Sequence, residues 1–277
     1  MDKIAIVILN YEAYEETFKC VDSILDREMQ VEGIVIVDNA SKNDSYARLR
    51  EKYRNVAAVR VVRCKSNLGF ARGNNIGIKV ARNSWDVDGV LLLNSDTVML
   101  EDDYLEKIMA AYEPGIGVMQ TSALRLNGRY TQRNGGTYSI VTLLQDVAKE
   151  VCAYYNLYFP INIKRNPADE LDKWVSGCDI LLTADYFKYF NGLYPLTFLY
   201  GEEYILSTML RKVGLRWKVV EDAHILHAES RSTPADFMGG RRKKQKLMLI
   251  AGCHKIIARV LPVCILQRIV NQKEWDS

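Results

Sequence analysis

The sequence predicts an α/β fold built on a mainly parallel, doubly wound sheet with a helical tail at its C-terminal end. Three observations predict it. Five runs within the first 120 residues are apolar at nearly every position rather than at alternate ones, the pattern of strands covered on both faces. The stretches between them carry helical spacing and are long enough for crossover connections. Polar residues follow the runs directly, at the strand ends where open α/β sheets gather ligands.

In chain order, residues 4–9 form the first expected strand and 14–26 the first helix. Strand 34–37 precedes helix 45–53, strand 59–62 precedes helix 71–82, and strand 90–93 precedes helix 102–112. Residues 117–120 form a fifth strand. From about 124 to 168 the pattern loosens into Gly, Asn, Tyr and polar runs that predict no strand. Residues 174–182 read as a strand broken at Gly177, and 185–190 as a short helix ended by Asn191-Gly192. An aromatic, turn-rich stretch then runs directly into Glu202-Glu203, which open a helix through Val213. Gly214 is placed to stop that helix, and 215–220 is a further strand. The tail from Arg241 alternates basic and apolar residues, with Pro262 set to break its helix.

With 277 residues, 48% apolar and 26% charged, the chain can bury a large core, which excludes a disordered protein. Thirty-seven basic against 34 acidic residues leave a charge of +3, so no global field draws the chain to nucleic acid. Arg241-Arg242-Lys243-Lys244-Gln245-Lys246 is the one dense basic run. Six scattered cysteines without a C-x-x-C pair read as buried free thiols in a reducing compartment. No apolar stretch reaches the ~18 residues of a membrane span, so a cytoplasmic protein is expected.

Several familiar sites are excluded. Gly69, Gly73 and Gly77 have the wrong spacing for G-x-G-x-x-G. There is no phosphate loop, no G-x-S-x-G elbow and no H-E-x-x-H helix.

The strand-end segments are Asn10-Tyr11, Asp38-Asn39-Ala40-Ser41, Asn67-Leu68-Gly69-Phe70 and Asn94-Ser95-Asp96-Thr97. Such residues also cap helices and make turns. Four of them at one end of one sheet point to a binding edge, because clustered acids repel unless a cation or hydrogen-bonding ligand offsets them. In their order and spelling, together with Phe198-Leu199-Tyr200-Gly201-Glu202-Glu203 and the His227 segment, these motifs resemble the family 2 glycosyltransferases, especially the bacterial rhamnosyltransferase-like branch. The resemblance covers roughly residues 3–230.

The resemblance implies a GT-A fold, with a catalytic domain over 1–235 and a basic, amphipathic helical tail over 236–277. Within that domain, 1–120 would bind the nucleotide sugar and 121–235 the acceptor. It assigns nucleotide binding to Asp38, with Asn10 and Tyr11 flanking the base, and Asn67 and Arg72 shaping the pocket, Arg72 against a phosphate. Asp96 takes the acidic position of the family's D-x-D metal motif, implying Mg²⁺ or Mn²⁺ on the diphosphate. Asn94 stands where the first acid is usual, so one charge is missing. His227 resembles the late histidine that reaches the metal or diphosphate. Glu203 aligns with the family's usual Asp and is the expected base for the acceptor hydroxyl, with Glu202 orienting the acceptor. The same two acids also suit a helix N-terminus for dipole reasons alone. Tyr200 is placed to stack on a sugar face.

The implied activity is an inverting, metal-dependent transfer of one sugar from a UDP- or dTDP-sugar. The acceptor would be a glycan, lipid-linked, in bacterial surface polysaccharide synthesis. Val213-Gly214-Leu215-Arg216-Trp217 lacks the leading Gln or Arg of processive synthases, which favours single transfer. Two rivals remain at this stage: a catalytically silent nucleotide-sugar-binding scaffold, and a sugar-nucleotide nucleotidyltransferase, although Asn10-Tyr11-Glu12-Ala13 offers no Gly-rich loop for the latter. The basic tail suits an anionic membrane surface, with peripheral attachment at the inner face of the cell membrane, and equally suits packing on the domain or on a second copy of the chain in a homo-oligomer.

Overall fold

In a computed structural model, residues 2–27, 29–130, 134–135, 139–158, 173–174, 177–228 and 240–272 are described. Expectations for residues 175–176, for 159–172 in the loosely patterned middle, and for the tail ends 236–239 and 273–277 lie outside them.

The first strand, β1 (Ile4–Asn10), pairs in parallel with β2 (Gly33–Asp38) on one side and β4 (Gly89–Asn94) on the other. β3 (Val59–Arg63) adds in parallel to β2. Beyond β4 lie β10 (Asp179–Leu182), β6 (Ile116–Thr121) and β11 (Arg216–Val220), completing a seven-stranded sheet of order β11-β6-β10-β4-β1-β2-β3. Only β10 runs against the others. That reversal brings its N-terminal start, rather than its end, to the edge where β1, β2 and β4 finish.

Alternation along the buried strands sorts side chains by size. Ile4, Ile6, Ile8, Ile34 and Ile36 face α1 (Tyr14–Leu25), α2 (Ser45–Tyr53) and α4 (Tyr104–Ala110). Ala5, Val7, Val35 and Val37 face α3 (Gly69–Ser84) and, further along, α7 (Glu202–Lys212). The smaller side chains let α3 lie close, and Gly73 and Gly77 bring it closer. A Cβ on Gly77 would stand 2.2 Å from Val7 Cγ1, and one on Gly73 2.6 Å from Leu9 Cδ1.

Two expectations are corrected, the strand over 174–182 and the helix over 185–190. The strand over 174–182 is two strands in different sheets: β9 (Lys173–Trp174) pairs with β8 (Asn134–Gly135), and β10 enters the central sheet. The loosely patterned middle contains α5 (Ile140–Tyr154), capped by the Ser139 hydroxyl, which accepts from the Thr142 amide at 3.0 Å. Its period is masked because Ile140, Val141 and Leu144 are exposed apolar residues. The short helix after β10 is α6 (Ala184–Phe187), three residues shorter at the C-terminal side than 185–190 suggests, with one added before it.

A small sheet of β5 (Thr97–Met99), β12 (Ile225–His227) and β7 (Leu124–Arg125) stands at the ligand edge and pairs His227 with Thr97 and Arg125. The tail folds as α8 (Arg241–Val260) and α9 (Val263–Val270), separated at Leu261-Pro262, where the residue before proline is extended. α8 packs against α5 and α7, and α9 against α7. Among the described residues no helix is long and apolar enough to cross a membrane. All six cysteines are free. Cys20, Cys64 and Cys178 are buried as expected, whereas Cys253 and Cys264 on the tail helices are exposed.

Candidate functional site

A cavity of about 310 Å³ opens at the carboxyl ends of β1, β2 and β4. Three loops enclose it. The first is the turn after β4, closed by the Thr97 hydroxyl donating to the Asn94 carbonyl at 2.8 Å. The second is the start of α3, where Asn67 and Phe70 line the wall. The third is the aromatic stretch before α7. It is tied to α3 by the Phe70 amide donating to the Phe198 carbonyl at 2.9 Å. Gly69 permits that approach, with φ at +78° and no room for a Cβ, which would meet Phe198 O at 2.2 Å.

Of the residues expected at the site, Tyr11, Asn67, Asn94, Tyr200, Glu202, Glu203 and His227 line this cavity. Asn10, Asp38, Arg72 and Asp96 are not part of its wall. Asn10 and Asp38 are fully buried and hold the strand ends together: Asn10 Nδ2 donates to Asp38 Oδ1 at 2.9 Å and to Ser41 Oγ at 3.2 Å. The Ser41 amide donates to Asp38 Oδ2 at 3.2 Å, and Arg63 Nε lies 3.4 Å from the same oxygen. Thr17 donates back to Asn10 Oδ1 at 3.0 Å, so α1 begins from this network. Arg72 sits half-buried on α3, where its charge acts on the buried Cys64 thiol. Burial dominates there, and with Asp38 pushes Cys64 up to about 11.

Asn39, Gly177 and Cys178 also line the cavity and were not singled out from sequence. Asn39 is the organiser. Its Oδ1 accepts from the Leu68 amide at 2.9 Å, and its Nδ2 donates to Asn67 Oδ1 and to the Gly69 carbonyl, each at 3.1 Å. It lies inside the Asp38–Ser41 motif, so the signal was present but credited to its neighbour. Gly177 and Cys178 arrive with the antiparallel β10, which no local pattern announces.

Asp96 is buried at 3% exposure, and its Oδ1 lies 3.4 Å from His227 Nε2 without accepting a hydrogen bond. His227 Nδ1 is likewise buried without a hydrogen-bond partner. The Ala228 amide donates to the Asp96 carbonyl at 3.0 Å, extending the pairing of β12 with β5 to residues 132 positions apart. An unsatisfied buried carboxylate oxygen is costly unless something supplies positive charge, and this one fits a divalent cation. Among the described residues no group of three or more His, Cys, Asp or Glu converges. The fit is therefore to a cation completed by substrate oxygens rather than held by protein alone. His224, the neighbouring histidine, is taken by Glu101, whose Oε1 lies 2.8 Å from its Nδ1.

Glu202 and Glu203 open α7 after Gly201, whose φ of +86° turns the chain into the helix. Glu203 Oε1 accepts from the Gly177 amide at 3.3 Å. Glu202 Oε1 is buried without a hydrogen bond. Burial, reinforced by the Glu203 carboxylate, pushes Glu202 up to about 8, against the opposing pull of Thr197 and Lys255. The wall thus holds one carboxyl raised by its burial beside a second that accepts a backbone hydrogen bond. Burial also raises the Tyr11 and Tyr200 phenols, so both rings face the cavity uncharged.

A family model, glycosyl transferase family 2, matches residues 5–166. Low-salt glycan biosynthesis hexosyltransferase Agl10 of Haloferax volcanii is 27% identical over 106 residues, spanning 38% of this chain and 32% of that protein. The chain thus aligns with about a third of the length of that curated relative. Among solved structures, GalNAc-T7 with UDP, GalNAc and Mn²⁺ is similar over 88% of this chain and 47% of its own, at 14% identity and a TM-score of 0.61. S. aureus TarS residues 1–349 with UDP-GlcNAc is similar over 89% and 70%, at 18% identity and a TM-score of 0.54. These likenesses show a GT-A fold.

Proposed function

The chain belongs to glycosyl transferase family 2, and on that premise we propose that it transfers one sugar, with inversion, from a UDP- or dTDP-sugar to a glycan acceptor. The observation that carries this reading is one cavity lined by Glu202, Glu203 and His227, with Asp96 Oδ1 lying 3.4 Å from His227 Nε2. In this reading Tyr11 and Asn67 flank the nucleotide, while Asn10 and Asp38 hold the strand ends that shape its pocket and Arg72 supports the same edge. Asp96 and His227 would hold Mg²⁺ or Mn²⁺, which supplies positive charge for the departing diphosphate. Asn94, in place of an acid, contributes a neutral amide beside them, so cation and nucleotide bind together rather than in turn.

Glu203 takes the proton of the acceptor hydroxyl as that oxygen attacks the anomeric carbon, and the bond to the diphosphate breaks on the opposite face. Glu202, kept protonated near neutrality, donates a hydrogen bond that orients the acceptor. Their surroundings separate the roles: burial holds Glu202 protonated, while Glu203 accepts from the Gly177 amide. Tyr200 offers an apolar ring face to a sugar. The acceptor is a lipid-linked glycan in bacterial surface polysaccharide assembly, with a hexosyl or rhamnosyl donor. The hexosyltransferase relative supports a hexosyl donor, and the exposed basic start of α8 suits an acceptor held at an anionic membrane surface.

Incubation with a panel of UDP-, dTDP- and GDP-sugars plus Mn²⁺ tests the reading by released nucleoside diphosphate. Glu203→Gln is expected to lower kcat roughly 10²–10⁴-fold with donor KM little changed. Asp96→Ala is expected to abolish the Mn²⁺ dependence of donor binding. Turnover that survives both substitutions refutes the assignment, and binding without release by the wild type identifies a silent sugar-nucleotide-binding module instead.

A further inference from the structure

The tail reaches the cavity from behind. Lys255 on α8 runs along the Gly201 turn, where a Cβ would stand 2.8 Å from Lys255 Cε and 3.5 Å from the Ala251 Cβ. Gly201 is therefore required twice, by its left-handed φ of +86° and by the lysine stem laid against it. The Lys255 ammonium lies 5.7 Å from the centroid of the Tyr204 ring, on the first turn of α7. The α7–α8 contact is fixed further along by Lys212 Nζ, which donates to the Leu261 carbonyl at 2.8 Å. The groups acting on Glu202 are Glu203 on its own helix, Thr197 and Tyr200 in the preceding loop, and Lys255 from α8. Lys255 is the cation among them. It lies outside residues 5–166, the segment that the family model matches.

We propose that Lys255 is a positioning residue of the transfer site, its stem fixing the Gly201 turn and its ammonium acting on the Glu202 carboxyl that follows that turn. This rests on the functional reading above. It makes the tail a working part of the site: a change that lifts α8 from α7 withdraws a charge from Glu202. Lysine suits the place because its apolar stem can lie against backbone while the ammonium continues past it.

The test compares wild type with Lys255→Met, which keeps a long unbranched stem, and Lys255→Arg, which keeps the charge. Thermal melting is followed from pH 4 to pH 9, each protein being paired with its Glu202→Gln counterpart so that the difference isolates Glu202. Lys255→Met is expected to move the midpoint of that difference up by about one pH unit, and Lys255→Arg to restore it. The same displacement is expected in the pH profile of kcat for nucleoside diphosphate release from whichever sugar nucleotide of the panel is turned over. A melting midpoint that stays put in Lys255→Met overturns the proposal, as does a kcat profile that stays put while the melting midpoint moves. If no sugar nucleotide of the panel is turned over even by the wild type, the transferase reading fails and the positioning role with it. The melting difference would then still report the Lys255–Glu202 coupling separately.

Discussion

Glu202 carries a stability signature that can be read without any substrate. Its carboxyl, ordinarily near 4.5, is pushed up to about 8 by burial and by Glu203. The folded chain therefore binds a proton that the unfolded chain has released, and the stability this brings is full below about 4.5 and is lost as pH rises towards 8. Asp179 has the same sign, pushed up to about 6 by burial, but its loss is complete at lower pH. His254, held below 6.5 by burial, has the opposite sign and costs stability as pH falls. Glu202→Gln leaves those two groups in place. The variant is thus expected to melt together with wild type near pH 4 and several degrees above it at pH 8, the gap opening steadily from about pH 4.5 to 8. A constant gap across that range, measured by calorimetry or circular dichroism, would mean that Glu202 ionises like an exposed acid.

Between helix and sheet, the contact of α3 with β1 depends on what is missing from both. Ala5 and Val7 face it where Ile would be too large, and Gly77 has no Cβ where one would come within 2.2 Å of Val7 Cγ1. Gly77→Ala is expected to destabilise the fold by about 1–3 kcal/mol through overpacking. Adding Val7→Ala should recover part of that loss, a non-additivity visible in denaturant midpoints; simple additivity would show that α3 shifts freely on the sheet. This face also shows what the sequence could and could not reveal. β1, β2 and β4 are readable because strands buried on both faces leave uninterrupted apolar runs, and α1 and α2 because their stripes have a single period. α5 was not readable, because its solvent side carries Ile140, Val141 and Leu144 and so hides the stripe. The same limit applies at the site. Asn94, Asp96 and Glu203 sit in local motifs. The contact of Asp96 with His227, the reversed β10 that delivers Gly177, and the approach of Lys255 are long-range pairings that no local period encodes.

Over the molecule as a whole, α8 links the cavity to an exposed basic end. Arg241, Arg242, Lys244 and Lys246 are exposed at its start, and Gln245 Nε2 donates to the Ala153 carbonyl at 3.0 Å, which sets this end beside the end of α5. There Tyr155, Leu157 and Tyr158 are 66%, 62% and 87% exposed. Cationic side chains beside exposed aromatic and aliphatic ones have the two components that interfacial binding needs, attraction to anionic headgroups and an apolar group to bury. Lys244 and Lys255 are eleven residues apart on one helix, about 16 Å at 1.5 Å per residue. A bilayer engaged by the basic end would thus hold the cavity within reach of an acceptor anchored in that bilayer. At roughly 1 kcal/mol for each basic residue near an anionic surface, replacing these four by Gln is expected to weaken sedimentation with phosphatidylglycerol-containing vesicles by roughly a hundredfold or more. Tyr158→Ser is expected to weaken it less and without added salt sensitivity. Equal binding to neutral and anionic vesicles, or binding indifferent to the four substitutions, would leave α8 with its inward role alone: a helix whose far end steadies Gly201 and whose near end only keeps the chain soluble.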